Sequence, residues 1–378
     1  MCLSSCQMSR QWQIASGCFL LVCFLLVFFT YYKLGIEYPD FRHYLKRGNH
    51  SCECPVEAQN QSSNLNRSSE QHVEVPVDAE PDTLLLIWTW PFGLKFDLTC
   101  DMFKYKGCRL TDDKSLYHEA HGVFIHHRDI NGNLGNLPSE PRPWFQKWVW
   151  MNMEPPSNLG KLPELDNLFN LTSCYRSDSH VPVPYGHLVP QTSEVESFQL
   201  PTKDKLVCWI VSNWQEGHKR VQYYNELKKH IQIETYGKAF DKNLDYQNYE
   251  NILSSCKFYL SFENSQYKDY ITEKVFNPMR LGTVPVVLGT SRENYEDHIP
   301  RDSFIHVDDF STPKELAERL LHLDQNMTEY MRFFDWKNRY RIHRSWFGRD
   351  HACKACRYLQ KNRGYQAGHS LTKWFWDQ

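Results

Sequence analysis

The chain has 378 residues, more than one domain of ordinary size needs, so we expect about two domains with additional segments. Its 43 basic and 45 acidic residues nearly cancel, which leaves no basic field and excludes nucleic acid as an expected partner. Aromatic residues make up 15% of the chain, enough for large cores and for faces on which sugars stack.

The N-terminal residues predict a membrane anchor. Residues 14–32 form an uncharged run of 19 residues, close to the roughly 20 that a helix needs to cross hydrocarbon. Aromatic residues follow it and no small-residue cleavage site does, which favours an uncleaved signal-anchor over a cleaved signal peptide. We therefore expect a cytoplasmic tail at 1–13, a transmembrane signal-anchor at 14–32 and a single-pass type II topology. The polar residues 33–81 predict a stem.

Sequons and cysteines are consistent with a lumenal, oxidising location for the rest of the chain. Five matches to N-x-[ST] predict N-glycosylation. They are Asn49, Asn60, Asn66, Asn170 and Asn326. Seven cysteines lie beyond the stem, so six of them could pair and one would be left over. His351, Cys353 and Cys356 also fit a zinc site or a redox pair, but zinc needs four clustered ligands, so we prefer disulfides.

The remaining sequence predicts an α/β fold in two halves. Residues 82–195 begin with the apolar run TLLLIWTWPFG and continue through further strand and loop pairs, with a short helix expected at 157–170. After a polar connection, residues 201–350 alternate strand and helix, and 351–378 form a C-terminal segment. Strands alternating with helices across two halves predict two Rossmann-like domains that face a cleft.

Residues 258–291 predict a βαβ unit whose polar residues lie at the turn, where doubly wound sheets bind anions. The candidate residues of the second half are Ser212, Asn213, Arg220, Asn264, Glu273 and Lys274. A guanidinium from Arg220 and an ammonium from Lys274, each near a helix start, could together hold a diphosphate and stabilise it as a leaving group. Either cation alone is more often part of an ordinary solvated helix face, and the combination in one cleft is what favours a diphosphate site.

The first half supplies a candidate base. Glu154 ends the aromatic strand WFQKWVWMNME and precedes two prolines, so its carboxylate could take a proton from a hydroxyl at the cleft, although a solvated loop glutamate is the open alternative. Nearby tryptophans, Trp150 among them, could form a sugar platform or pack in the core. No Asp-x-Asp triplet occurs in the sequence, and we expect no metal site, with cationic side chains in its place.

Several motifs resemble blocks of the alpha-1,3-fucosyltransferase family. The motifs are WPFG, HHRDI, FQKWVWMNME, LFNLT, VSNW, RVQYYNEL, YLSFENS, DYITEK and VPVVLG. The similarity extends from about residue 83 to residue 376. It implies a GT-B fold, GDP-fucose as the donor, inversion at the anomeric carbon and no obligatory metal or other cofactor. It also implies a location in the Golgi membrane.

The resemblance assigns roles to individual residues. Glu154 matches the general base for the 3-hydroxyl of the acceptor, and Arg220 and Lys274 match pyrophosphate-binding residues. The matched donor contacts are Ser212, Asn213, Tyr259, Asn264 and Glu273. The implied acceptor contacts are Phe92, Arg128 and Trp150. The implied disulfides join Cys208 with Cys256, and Cys100 and Cys108 with Cys353 and Cys356, which leaves Cys174 unpaired and ties the C-terminal segment to the first domain.

The implied function is transfer of L-fucose from GDP-β-L-fucose to the 3-hydroxyl of GlcNAc in lactosamine-bearing glycoproteins and glycolipids. Arg128 in HHRD implies type 2 chains and Lewis x-type products. Leu94 and Lys95 depart from the family pattern after WPFG, which leaves the preference for internal or terminal lactosamine open. A protein-directed fucosyltransferase of the same fold and a catalytically silent, lectin-like protein are the alternatives, and a homodimer is compatible with any of these hypotheses.

Overall fold

The computed structural model describes residues 82–191 and 198–377. The predicted tail, signal-anchor and stem lie outside these residues, as do the sequons at Asn49, Asn60 and Asn66. Among the described residues, no helix combines the length and the apolar character needed to cross a membrane.

A six-stranded parallel sheet forms the first half. Its strands are β1 (Thr83–Ile87), β2 (Cys108–Thr111), β3 (Gly122–His126), β4 (Lys147–Met151), β5 (Leu171–Cys174) and β6 (Val181–Pro182), in the order β2-β1-β3-β4-β5-β6. Neighbouring strands are parallel throughout. Every residue of β1, β3, β4 and β5 is buried, as expected for strands that are covered on both faces.

The connections of the first half differ from the predicted strand and helix alternation. Within residues 82–191, the connections contain 3₁₀ turns and no α-helix. The prediction of a helix at 157–170 was wrong. The structure has two short 3₁₀ turns there, Pro156–Asn158 and Pro163–Leu165. A proline opens each turn, where its missing N–H costs nothing, but Pro163 would break a helix that continued from the first turn.

The second half has the predicted alternation around a five-stranded parallel sheet. Its strands are β8 (Lys205–Ile210), β9 (Glu234–Tyr236), β10 (Cys256–Phe262), β11 (Val284–Leu288) and β12 (Ile305–His306), in the order β12-β11-β10-β8-β9. Its helices are α1 (Lys219–Leu227), α2 (Tyr246–Ser255), α3 (Glu273–Arg280), α4 (Arg292–Glu296), α5 (Pro313–Gln325) and α6 (Met327–Arg332). Strand β10 is central, and its carboxyl end opens towards the candidate site.

Two segments connect the halves, and they pair with each other. Strand β7 (Gly186–Pro190) leaves the first half and runs antiparallel to β13 (Tyr340–Arg344), which leads back to it. The last α-helix, α7 (Arg349–Lys361), then contacts β1 and β2. Its apolar side chains belong to the same core as the first sheet. The C-terminal helix therefore packs against this sheet, whose short connections contain no α-helix.

Three disulfides join six of the cysteines. Cys100 pairs with Cys353 and Cys108 with Cys356, so both bonds fix α7 to the first half. The third bond, Cys208 to Cys256, joins β8 to β10 as the resemblance implied. Cys174 is buried and free.

Candidate functional site

One cavity of the second half, about 380 Å³ in volume, brings the predicted diphosphate and donor residues together. Its lining includes Ser212, Asn213, Arg220, Tyr259, Asn264, Glu273 and Lys274. It lies at the carboxyl ends of β8 and β10 and at the start of α3, where a doubly wound sheet binds its ligands. A larger cavity, about 500 Å³, lies beside α5 and α6 but contains none of these residues.

Lys274 is an ammonium held between two carboxylates. Its Nζ lies 3.4 Å from Oε2 of Glu263 and 3.0 Å from Oε1 of Glu273. Burial lowers the pKa of Lys274, but the two carboxylates outweigh burial and raise the pKa well above its ordinary value. Lys274 is therefore charged throughout the neutral range.

Glu263 is a residue of this site that the sequence analysis missed. Its side chain is fully buried. Oε1 of Glu263 accepts hydrogen bonds from the backbone N of Thr272 at 2.8 Å and from Oγ1 of Thr272 at 2.9 Å. Burial raises the pKa of Glu263, while the Lys274 ammonium and the bonds from Thr272 oppose that rise. The sequence did contain a signal, because a glutamate directly after a buried strand needs a partner.

The backbone of Lys274 is fixed by the central strand. Pro278 lies within α3 and has no N–H, so the carbonyl of Lys274 lacks its helical donor. Oγ of Ser261, a buried residue of β10, donates to that carbonyl at 2.6 Å instead. Glu273 and Lys274 are the first two residues of α3 and line the cavity, so the positive end of the helix faces the space where an anion would bind.

Arg220 supplies a second cation to the same cavity. The residue lies in the first turn of α1, is 5% exposed, and donates through Nη2 to the backbone carbonyl of Asn213. Burial lowers the pKa of Arg220, and the carboxylate of Glu263 opposes this. Within the described residues, Nε of Arg220 and Oδ1 of Asn264 are buried without a hydrogen-bond partner. A polar ligand in the cavity would satisfy such groups.

A second cavity of this site, also about 380 Å³ in volume, is lined by residues of both halves. Glu154 and Phe92 line it together with Asn264, Glu273 and Lys274, and the last three residues also line the first cavity. The two cavities therefore adjoin each other. A carboxylate of the first half and an ammonium of the second face the same continuous space.

The carboxylate of Glu154 is held by its own loop. The backbone N of Glu154 donates to Oδ1 of Asn152 at 3.0 Å, and its Oε2 accepts from Nδ2 of Asn158 at 3.2 Å. One carboxylate oxygen is thus oriented, and the group stays partly exposed to the cavity. This arrangement suits a group that must accept a proton from a bound hydroxyl.

The three predicted acceptor contacts have different positions. Phe92 lines the second cavity, and the Arg128 guanidinium lies 5.9 Å from its ring, beside a neighbouring cavity. Trp150 is fully buried in β4, and its Nε1 donates to Nδ1 of His127 at 3.0 Å. Trp150 lines neither cavity of the site, and its role as an acceptor contact stays a prediction.

Two sequons lie within the described residues. Asn170 precedes β5 and is largely buried, with Oδ1 accepting from Trp148 N at 2.9 Å and Nδ2 donating to Gln366 O at 2.8 Å. Asn326 is the N-cap of α6 and accepts from Glu329 N. A glycan on Asn170 would replace one of the two hydrogens of Nδ2, and glycosylation at both sites stays a prediction. No group of three or more potential metal ligands occurs among the described residues.

Comparison with known proteins identifies the family. Residues 80–186 match "Fucosyltransferase, N-terminal" and residues 200–374 match "Glycosyltransferase family 10 (fucosyltransferase) C-term". The chain is 52% identical over 298 residues to 4-galactosyl-N-acetylglucosaminide 3-alpha-L-fucosyltransferase 9 of Rattus norvegicus and 51% identical to that of Homo sapiens. Each alignment covers 78% of this chain and 83% of the relative.

A solved structure is also similar. An alpha1,3-fucosyltransferase with GDP-fucose aligns with a TM-score of 0.48 and 16% identity, over 81% of this chain and 96% of that one. The family assignment depends on the sequence matches, which span both halves of the described structure. This chain belongs to glycosyltransferase family 10, the fucosyltransferases.

Proposed function

We propose that this chain is an inverting α-1,3-fucosyltransferase of GT-B architecture that transfers L-fucose from GDP-β-L-fucose to the 3-hydroxyl of GlcNAc in type 2 lactosamine. The adjoining cavities carry the proposal, because they place Glu154 and Lys274 around one space. The names of the relatives support the acceptor, since those proteins are 4-galactosyl-N-acetylglucosaminide 3-alpha-L-fucosyltransferases.

The donor side binds the diphosphate and stabilises its departure. Arg220 and Lys274 neutralise the pyrophosphate oxygens, and the start of α3 adds the positive end of a helix dipole. The nucleoside extends along the rest of the same cavity, with Ser212, Asn213 and Tyr259 in its lining. Preorganised cations of this kind cost no reorganisation when charge develops on the leaving group.

The acceptor side activates the nucleophile. Glu154 removes the proton from the 3-hydroxyl of GlcNAc, and the oxygen forms a bond to C1 of fucose. The bond from C1 to the β-phosphate oxygen breaks on the opposite face, and GDP leaves with that electron pair. One displacement of this kind converts a β-linked donor into an α-linked product.

Product type and location extend the same proposal. Arg128 in HHRD, through the resemblance of that motif to the family, supports type 2 lactosamine of glycoproteins and glycolipids as the acceptor, and Lewis x-type products follow from it. The apolar run at 14–32 supports a single-pass type II protein of the Golgi membrane with its catalytic domain in the lumen.

The full-length chain in detergent tests the proposal. GDP-fucose and type 2 lactosamine are supplied with and without a chelator, GDP release is followed, and the product linkage is determined. We expect α-1,3-linked product under both conditions. Loss of activity on chelation would contradict metal independence. Transfer to folded glycoproteins but not to free lactosamine would favour the protein-directed alternative, and glycan binding without transfer would favour the lectin-like one.

Replacement of Glu154 tests the base. Glu154→Gln should reduce transfer by about 10²–10⁴-fold while GDP still binds, because an amide cannot accept the proton. Glu140→Gln is the matched control, since Glu140 is an exposed carboxylate that pairs with His118 and does not line either cavity. Wild-type turnover in Glu154→Gln would refute the assignment.

A further inference from the structure

The carboxylate of Asp129 joins two walls of the acceptor-side cavity. Its Oδ2 accepts from the backbone N of Phe92 at 2.9 Å and lies 2.6 Å from Nδ1 of His126. Phe92 has φ 55 and ψ 26, a left-handed conformation that a bulky residue keeps only when its surroundings hold it. The bond from Asp129 therefore helps to hold a strained residue in place at the mouth of the cavity.

The ring of His126 is fixed from several directions. His126 ends β3, is 1% exposed, and its backbone N donates to Oγ1 of Thr89 at 2.8 Å. The Phe92 ring lies edge to face with the imidazole at a centroid distance of 4.8 Å, and the Phe347 ring contacts it at 5.9 Å. The imidazole therefore has one orientation, and its hydrogen-bonding pattern is determined by Asp129.

The tautomer of His126 follows from that contact. An ionised carboxylate can only accept, so Nδ1 of His126 carries the proton that is donated to Asp129. Burial lowers the pKa of His126, although the bond to Asp129 and the charge of Glu154 oppose this, so the ring is neutral at neutral pH. The remaining nitrogen, Nε2, then has a free lone pair. No described residue bonds to Nε2, and His126 lines the same cavity as Glu154.

We propose that His126 is a specificity-determining residue that accepts a hydrogen bond through Nε2 from a second hydroxyl of the acceptor sugar. Asp129 is the positioning residue that fixes this tautomer and the backbone of Phe92. The cavity then offers two acceptors of hydrogen bonds, Glu154 for the reacting hydroxyl and His126 for another one. The inference rests on the proposed function, because it concerns the acceptor of that transfer.

Deoxy acceptors identify the second hydroxyl. The full-length chain is assayed with lactosamine and with a panel of monodeoxy lactosamines, each of which keeps the 3-hydroxyl of GlcNAc. In the wild type, one analogue should lose roughly tenfold in kcat/KM, the size expected for one hydrogen bond. His126→Phe should lose a similar factor with lactosamine itself and should no longer distinguish that analogue. His126→Gln, whose amide oxygen can accept, should restore part of the discrimination.

Asp129→Ala tests the positioning role. It removes the one oxygen that contacts both the backbone N of Phe92 and Nδ1 of His126, so the ring proton is no longer held on Nδ1 and Phe92 loses its bond. The KM for lactosamine should rise roughly tenfold, while the KM for GDP-fucose stays unchanged. His118→Phe is the control, because His118 forms a similar pair with Glu140 at the exposed surface, and it should change nothing.

The possible outcomes separate the two proposals. Wild-type discrimination in His126→Phe, or equal rises of both KM values in Asp129→Ala, would overturn the inference and leave the proposed function intact. Absence of transfer by the wild-type chain to any lactosamine would overturn the proposed function, and the inference with it.

Discussion

Lys274→Met should destabilise the protein as well as inactivate it. The side chain of Glu263 is fully buried 3.4 Å from the ammonium, whereas Glu273 is about half exposed. With an effective dielectric constant of about 20, the attraction between Lys274 and Glu263 is about 5 kcal/mol, from which the cost of desolvating the carboxylate must be subtracted. Removal of one partner from a buried pair typically costs about 3–5 kcal/mol, because the other charge is left uncompensated.

That cost has a thermal and a pH signature. A loss of about 3–5 kcal/mol lowers the melting temperature of a protein of this size by roughly 5–8 °C. Without Lys274, the pKa of Glu263 rises further, so the folded state binds a proton more tightly than the unfolded state does. The destabilisation should therefore shrink as pH falls from neutral towards the range in which Glu263 takes up that proton.

Thermal unfolding of the full-length chain, measured without GDP at two pH values, tests this reasoning. The double variant Glu263→Gln with Lys274→Met removes both charges and should recover most of the melting temperature but none of the transfer activity. Lys229→Met is the matched control, because Lys229 and Glu226 form an exposed pair, 58% exposed on each side, worth less than about 1 kcal/mol. The reasoning fails if Lys274→Met melts like the control, or if the double variant melts no higher than Lys274→Met.

Three further variants test other parts of the structure. Ser261→Ala leaves the buried carbonyl of Lys274 without a donor, so thermal unfolding should show a loss of about 1–3 kcal/mol and steady-state kinetics a raised KM for GDP-fucose. Trp150→Phe removes a buried bond to His127 and should lower the melting temperature, whereas an unchanged KM for lactosamine would verify that Trp150 is not an acceptor contact. Burial lowers the pKa of Lys203 to about 7, so the unfolded state binds more protons between pH 7 and 10 and stability rises with pH there. Lys203→Met should flatten the rise in melting temperature between pH 7 and 9.

The donor side could be predicted from sequence because it is local. Strand β10, the turn after it and α3 follow one another in the chain, and the carboxyl end of a parallel strand and the start of the next helix meet at one edge of the sheet. Asn264, Glu273 and Lys274 were identified from that pattern alone. Glu263 was missed although it is adjacent to Asn264 and directly follows a buried strand, because that position indicates that a partner is needed but not that the partner is Lys274, which lies further along the chain.

The acceptor side could be predicted only in part because it is assembled from distant segments. Phe92 follows β1, His126 ends β3, and Phe347 precedes α7 near the other end of the chain, yet all three line one cavity. No local periodicity relates these positions, so His126 and Phe347 were not identified as site residues. Trp150 is the contrasting case: it was named as an acceptor contact but is fully buried, and the sequence of a strand that is buried on both faces does not show which side chains reach a cavity.

The residues around Lys274 and those at the mouth of the second cavity also differ in how strongly the fold constrains them. Lys274, the proposed leaving-group cation, depends on a pair with buried Glu263 and on a donor from β10, so most changes there should disturb folding. The mouth of the acceptor cavity contains Phe92 and Leu94, which are 49% and 66% exposed, and a new side chain at Leu94 would meet solvent rather than core. A substitution at Leu94 should therefore change the surface at the cavity mouth while Glu154 and Lys274 keep their supports, and a changed KM for lactosamine with an unchanged KM for GDP-fucose would show this separation.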